Sequence, residues 1–196
     1  MQIISGKYRG KKLSDANSSG TRPTQGRVKE SIFNMLSGYV QNFENSDVAV
    51  LDLFAGTGQY GLECYSRWGA SVVFVDSDPG AISAIRKNCE SINCKAKFLH
   101  MDVMTALMSL KNKKINLVFM DPPWGKDQGS MTLEILKFIK QNNMLSSNAV
   151  IVCELENTDP NISLHLVDLG FNIREKVYGR AKIILIVPQG TCHTYT

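Results

Sequence analysis

No stretch of this sequence approaches the roughly 20 consecutive apolar residues that cross a bilayer. Nor is its basic start followed by the apolar segment of a secretory leader. Neither membrane insertion nor export is expected, and a cytoplasmic location is. Cys-x-x-Cys pairs are also lacking. Cys64, Cys89, Cys94, Cys153 and Cys192 are scattered and odd in number, which argues against a disulfide framework or a zinc site. His100, His165 and His193 stand at metal-ligand spacing to no other His or Cys, so no metal is expected. With 43% hydrophobic and 20% charged residues in 196, one ordinary globular domain is long enough to bury a core.

Negative charge is what the first fifth of the chain lacks. Residues 1–36 hold seven bases against Asp15 and Glu30, a local charge of +5; the whole chain carries +4, so the other 160 residues carry −1. Positive charge concentrated in this way suits a polyanionic partner, the alternative being a solvated basic tail. The bases are Lys7, Arg9, Lys11, Lys12, Arg22, Arg27 and Lys29.

Residues 2–13 mix short apolar pieces with Gly6, Gly10 and bases, and read as a small hairpin or extended arm. Residues 15–20 are loop by composition. A helix follows Arg22-Pro23-Thr24, with Val28, Ile32, Phe33 and Leu36 at helical spacing and Arg27 and Lys29 off that stripe, facing outward. Gly38 marks its end, and residues 42–47 form a polar connection. From Val48 the pattern alternates. Strands are expected at 48–54, 71–76, 97–101, 115–120 and 149–155, with helices at 58–68, 79–91, 103–110 and 131–141 between them. A short helical piece at 162–167 precedes two strands, 172–178 and 182–187, too close together for anything but an antiparallel hairpin. Such alternation predicts a mainly parallel sheet with helices on both faces, with ligands beyond the strands' carboxyl ends.

Two motifs fall at those ends. Asp121-Pro122-Pro123-Trp124 closes the apolar run Ile115–Met120. The prolines cannot continue a ladder, leaving a rigid turn with a carboxylate, carbonyl acceptors and a flat ring. Such a turn can accept hydrogen bonds from a planar amine and stack its ring. The competing reading is a plain strand-ending turn with Trp124 in the core. Upstream, Asp52-Leu53-Phe54-Ala55-Gly56-Thr57-Gly58 follows a strand and opens a helix, the setting of a nucleotide-like cofactor. Asp76 ends the second strand, where it can accept from ribose hydroxyls, and Asp102 ends the third, where it can accept from an adenine amine. Gly56, Gly58 and Gly61 also fit a dinucleotide fingerprint. Asp52 would repel a pyrophosphate there, however, and suits the ammonium or ribose of S-adenosylmethionine better. The candidate cofactor set is Asp52, Phe54, Ala55, Gly56, Gly58, Asp76, Ser77, Asp102 and Val103.

With both motifs in one chain, the sequence resembles the amino-methyltransferases that modify exocyclic amines of nucleobases. Three further segments narrow the likeness: Ile3-Ile4-Ser5-Gly6-Lys7-Tyr8-Arg9-Gly10, Arg22-Pro23-Thr24, and Arg27-Val28-Lys29-Glu30-Ser31-Ile32-Phe33-Asn34. They resemble the bacterial RsmD family, which methylates a guanine N2 amine in 16S ribosomal RNA. The likeness runs through Arg174-Glu175-Lys176-Val177 to the tail hairpin. It departs at Asp76, where the family usually has Glu, and at Trp124, where it usually has Phe or Tyr.

The resemblance implies a Rossmann-like class I methyltransferase: a seven-stranded, mainly parallel sheet with an antiparallel C-terminal hairpin strand and a small basic N-terminal extension. Residues 1–38 would bind RNA and 39–196 would form the methyltransferase domain, acting as a monomer. The implied partner is 16S ribosomal RNA, naked or in a small-subunit particle, and the implied cofactor S-adenosylmethionine. Asp121 and the Pro122 carbonyl would accept hydrogen bonds from the two N–H groups of a guanine amine, with Pro123 stiffening the turn and Trp124 stacking the base. Two other classes of function remain open at this point, a DNA adenine-N6 methyltransferase and a non-catalytic RNA-binding protein.

Overall fold

The computed structural model describes residues 1–14, 23–40, 43 and 47–190. Arg22, Cys192, His193, the expected 15–20 loop and most of the 42–47 connection lie outside these residues.

The elements run α1 (Pro23–Leu36), β1 (Ala49–Leu53), α2 (Gln59–Trp68), β2 (Ser71–Asp76), α3 (Pro79–Glu90), β3 (Ala96–His100), α4 (Val103–Leu110), β4 (Ile115–Met120), α5 (Gln128–Gln141), β5 (Leu145–Glu156), α6 (Ile162–Asp168), β6 (Phe171–Tyr178) and β7 (Ala181–Pro188). All seven strands form one sheet in the order β3-β2-β1-β4-β5-β7-β6. β1 to β5 are parallel, and β7 enters antiparallel between β5 and β6. The alternation and the close-set last pair predicted the parallel strands and the final hairpin, and the whole is the Rossmann-like methyltransferase sheet that the resemblance implied.

The inner strands are buried on both faces, so their side chains sort into two cores, while the edge strands β3 and β6 are partly exposed. Val50, Phe74, Leu117, Phe119, Val150 and Leu185 face α1, α2 and α3. Leu51, Val75, Val118, Ile151 and Ile184 face α4, α5 and α6. Residues 1–13 do not hang free as an arm. They turn back on themselves through an antiparallel bridge between Gln2 and Lys12, and Ile3 and Leu13 enter the first core.

Two boundaries differ from expectation by three residues or more. β5 starts at Leu145 because Ile115 pairs with Leu145 across a bulge before Leu117 meets Val150; Asn116, Ser146 and Asn148 satisfy one another in that irregular stretch. α5 starts three residues earlier, at Gln128, whose side chain is held on both sides, as described below.

Candidate active site

Strand order reverses between β1 and β4: the chain steps outward through β2 and β3, then returns to pair β4 against β1. Ligands of open α/β sheets bind at such a switch point. Both sequence motifs arrive there, because Leu53 is in register with Met120.

At the end of β1 the backbone turns sharply. Phe54 adopts φ 57°, a left-handed conformation uncommon for a side chain of its size. Ala55 N–H donates to the Val75 carbonyl, and Gly58 N–H to that of Ala55. The Asp52 carboxylate, 1% exposed, accepts from Gly61 N–H at 2.9 Å and so ties the start of α2 to the strand. Asp76 accepts from Gly56 N–H at 2.8 Å and from Asp78 N–H at 2.9 Å, which fixes the loop's other side. Gly61 is required by packing, since a Cβ there would lie 2.4 Å from the Phe74 ring.

Asp121 follows β4 at the level of Glu154 on β5, one step beyond the Met120–Cys153 pair. Strand alternation puts Asp52, Asp121 and Glu154 on the same face, on three adjacent strands. Tyr60 of α2 lies over them. Its ring stacks on Phe119 at 4.9 Å and its hydroxyl donates to Glu154 at 2.7 Å. None of the ion pairs among the described residues involves these three carboxylates. Burial raises the Asp52 carboxyl to about 8, against the Gly61 hydrogen bond that lowers it. Burial, then the charges of Glu154 and Asp52, push Asp121 well above the usual carboxylate range. Burial also raises Glu154, with the Tyr60 hydrogen bond acting the other way. Three carboxyl groups on one sheet face without a basic partner favour a cation beside them.

Pro122 is buried and its carbonyl accepts from Gln128 Nε2 at 3.1 Å. The turn therefore does not leave this carbonyl free, as the sequence suggested; one of its two lone pairs remains. Pro123 is exposed. Trp124 is 40% exposed, which excludes the core-packed reading, and the Arg180 guanidinium sits 5.6 Å from its ring centroid.

Asp102 lies at the neighbouring strand end, Met101 N–H donating to the Asp76 carbonyl. Its Oδ1 accepts from Thr105 N–H at 2.9 Å, making it the N-cap of α4. Hydrogen bonds from Thr105, side chain then backbone, hold its carboxyl low. Ser77 is exposed beside Asp76, and Val103 is buried in the first turn of α4.

The residues present fit an aminoacyl nucleoside cofactor. The Gln59 Oε1 is the buried side-chain oxygen without a hydrogen-bond partner among the described residues, and it lies at the glycine loop where a donor is wanted. Gly56, at φ 56°, has open space where a Cβ would stand. Among the described residues no group of His, Cys, Asp or Glu could hold a metal ion, and Cys64, Cys89, Cys94 and Cys153 are buried free thiols.

Of the predicted RNA-contacting bases, Lys7, Arg9, Lys11, Lys12 and Arg27 are exposed. Lys29 is a correction. It is 1% exposed, pairs with Glu63 at 3.1 Å and donates to the Gln2 carbonyl at 2.7 Å. The helical stripe of α1 left it facing outward, but the N-terminal hairpin covers that face. Glu63 also accepts from Ile4 N–H, Ser5 N–H and Arg67, so one buried carboxylate anchors the hairpin to α1 and α2. A Cβ on Gly6, at φ 82°, would collide with the Ser66 carbonyl at 2.0 Å, so only glycine permits this docking.

Sequence reasoning missed Tyr60, Gln59, Gln128, Glu154 and Arg180. For Glu154 a signal existed: it is an acid inside an otherwise apolar strand, where an unpaired charge is costly. The other four carry no local mark.

Residues 1–187 match the protein family described as Conserved hypothetical protein 95. The chain belongs to this family. Its relatives include the Ribosomal RNA small subunit methyltransferase D of Haemophilus influenzae, 34% identical with 83% of this chain and 82% of that protein covered. The protein of the same name from Escherichia coli is 31% identical over 92% and 90%. Among solved structures, the putative methyltransferase yhhF from Escherichia coli superposes with a TM-score of 0.78 at 30% identity, covering 96% of this chain and 99% of its own.

Proposed function

We propose that this protein transfers a methyl group from S-adenosylmethionine to the exocyclic N2 amine of a guanine in 16S small-subunit ribosomal RNA. The observation that carries the reading is the meeting, at one switch point, of the Asp52–Gly61 glycine loop and Asp121 with its exposed neighbour Trp124. The names of its relatives point the same way.

Bound at the loop, the cofactor supplies a methyl group activated by a sulfonium. Asp76 and Ser77 would take its ribose, Asp102 and Val103 its adenine, and Phe54 to Gly58 with Gln59 its amino-acid end; Asp52 holds the loop in shape from beneath. Asp121 accepts a hydrogen bond from one N–H of the guanine amine, and the remaining lone pair of the Pro122 carbonyl accepts one from the other; as the nitrogen bonds the methyl carbon and the sulfonium C–S bond breaks, Asp121 takes the one proton that the amine sheds. Both interactions favour a pyramidal nitrogen and offset positive charge as it develops there. Trp124 stacks the base on the ring face that Arg180 leaves open, fixing the amine within about 3–3.5 Å of its target. The half-buried Asp121 is drawn into its ionised form by a cation beside it.

An unstacked loop guanine is the form such a site can reach. Lys7, Arg9, Lys11, Lys12, Arg27 and Arg22 would hold flanking phosphates, so that 1–38 serves RNA and 39–196 serves methyl transfer on a shared core. The test offers methyl-labelled cofactor with unmodified small-subunit particles, naked 16S RNA and duplex DNA, then maps the product. Label on an N2-guanine of the RNA is expected. Label on DNA adenine, or on nothing, would overturn the reading.

A further inference from the structure

Both ends of the Asp121–Trp124 turn are tied to one residue outside it, Glu156 at the end of β5. At one end, the buried Gln128 donates from Nε2 to the Pro122 carbonyl at 3.1 Å, while its Oε1 accepts from Glu156 N–H at 2.9 Å. Its position on α5 is fixed in turn by Thr132, whose hydroxyl donates to the Gln128 carbonyl at 2.8 Å. At the other end, the Glu156 carboxylate accepts from Arg180, and the Arg180 guanidinium lies over the Trp124 ring at 5.6 Å. The hairpin that carries Arg180 is held by a 2.7 Å bond from Asn157 N–H to the Arg180 carbonyl.

We propose that Gln128, Glu156 and Arg180 form a clamp that positions the turn for the reaction. Gln128 orients the Pro122 carbonyl, Arg180 fixes the plane of Trp124, and Glu156 sets the distance between the two. The amine acceptor and the stacking ring are thereby registered to each other through β5. This matters because two prolines stiffen the turn internally but leave its ends to pivot on the strand, and the turn makes the contacts a base would use. Gln128 supports the idea by its economy. A buried amide needs partners for both its ends, and here both partners belong to the turn and to β5. Arg180 is 80% exposed, so its place over the ring is not imposed by packing. One flat guanidinium at Arg180 both bonds the Glu156 carboxylate and stands over the Trp124 ring, a pairing that the point charge of lysine does not reproduce.

The inference rests on the proposed methyl transfer, but its test includes a readout that needs no substrate. In a Trp68→Phe background, Trp124 is the chain's remaining tryptophan, and its emission reports its surroundings. Arg180→Ala and Glu156→Ala should red-shift that emission and increase quenching by acrylamide, and Arg180→Lys should not restore the wild-type spectrum. Gln128→Glu, which keeps the acceptor and removes the donor, should lower kcat by about 10- to 100-fold, the scale of a small misplacement of reacting groups. It should leave the S-adenosylmethionine Kd within about twofold, a change worth no more than about 0.4 kcal/mol. A general loss of fold would instead weaken cofactor binding in parallel. If Arg180→Lys restored both emission and turnover, Arg180 would be only a phosphate-attracting charge and the clamp would be wrong. An unchanged kcat for Gln128→Glu would equally overturn it. Should the emission respond as expected while no RNA takes up label, the clamp stands and the assigned reaction falls.

Discussion

The Lys29 ammonium lies 3.1 Å from the Glu63 carboxylate with both side chains out of solvent, and this pair joins α1, α2 and the N-terminal hairpin. Burial lowers the Lys29 pKa, with Glu63 opposing the shift. A buried pair of this kind is costly to break because the surviving ammonium keeps the Gln2 carbonyl but loses its counter-charge. Glu63→Gln should therefore lower unfolding free energy by about 3–5 kcal/mol. Urea denaturation reads this directly, and a change below about 1 kcal/mol would mean that the pair is solvated in solution.

The exposed bases of the hairpin should behave differently. Replacing Lys7, Arg9, Lys11 and Lys12 together with Gln should leave stability and cofactor affinity near wild type. The slope of log affinity for RNA against log salt should shrink by about 0.7–0.9 for each phosphate that is no longer neutralised. An unaltered slope would show that RNA does not cross this surface.

Asp121→Ala removes an interaction that gains strength only as the amine becomes positive. Methyl transfer should fall by orders of magnitude in single-turnover assays, while calorimetry with S-adenosylmethionine shows little change. Turnover near the wild-type rate would remove Asp121 from the reaction.

Asp52 predicts a pH dependence of stability. Its folded pKa is raised to about 8 from an ordinary 3.8. Below about 4 both folded and unfolded chains hold the proton and nothing is lost. As the pH rises further the unfolded chain releases the proton first, so stability falls through the window from about 4 to about 8 and levels off above it. Asp52→Asn, which can still accept from Gly61 N–H, should flatten this fall and be more stable than wild type at pH 9. Parallel melting curves for the two proteins across that range would remove the assignment.

For Trp124, stacking is worth roughly 1–3 kcal/mol per base. Trp124→Phe should stay active, and Trp124→Ala should lose transfer with cofactor affinity intact. Because the ring is 40% exposed, Trp124→Ala should shift Tm little. A large drop in Tm without a specific loss of turnover would return Trp124 to a structural role.

The sequence by itself determined the sheet. Apolar runs closed by Asp or Pro and separated by helical periods specify parallel strands with helices between them, and the short gap at Gly179-Arg180 specifies the final hairpin, all through local geometry. Local signals also placed Asp52, Asp76, Asp102 and Asp121 at strand ends, because each lies at or beside the point where a strand stops. What a side chain meets there is a long-range matter, which the tertiary structure decided. Tyr60 reaches Glu154 across 94 residues of chain, and Asp52 turns under its loop to bond Gly61 rather than opening to solvent. Gln128 takes a lone pair of the Pro122 carbonyl only because α5 returns beside β5. Lys29 shows the reason most plainly. Helical spacing separates the stripe that packs on the sheet from the rest of the helix, but it carries no record of a second segment folding over the other side. The hairpin that does so is held by Glu63, a residue 34 positions further along, and burial of Lys29 follows from that contact alone.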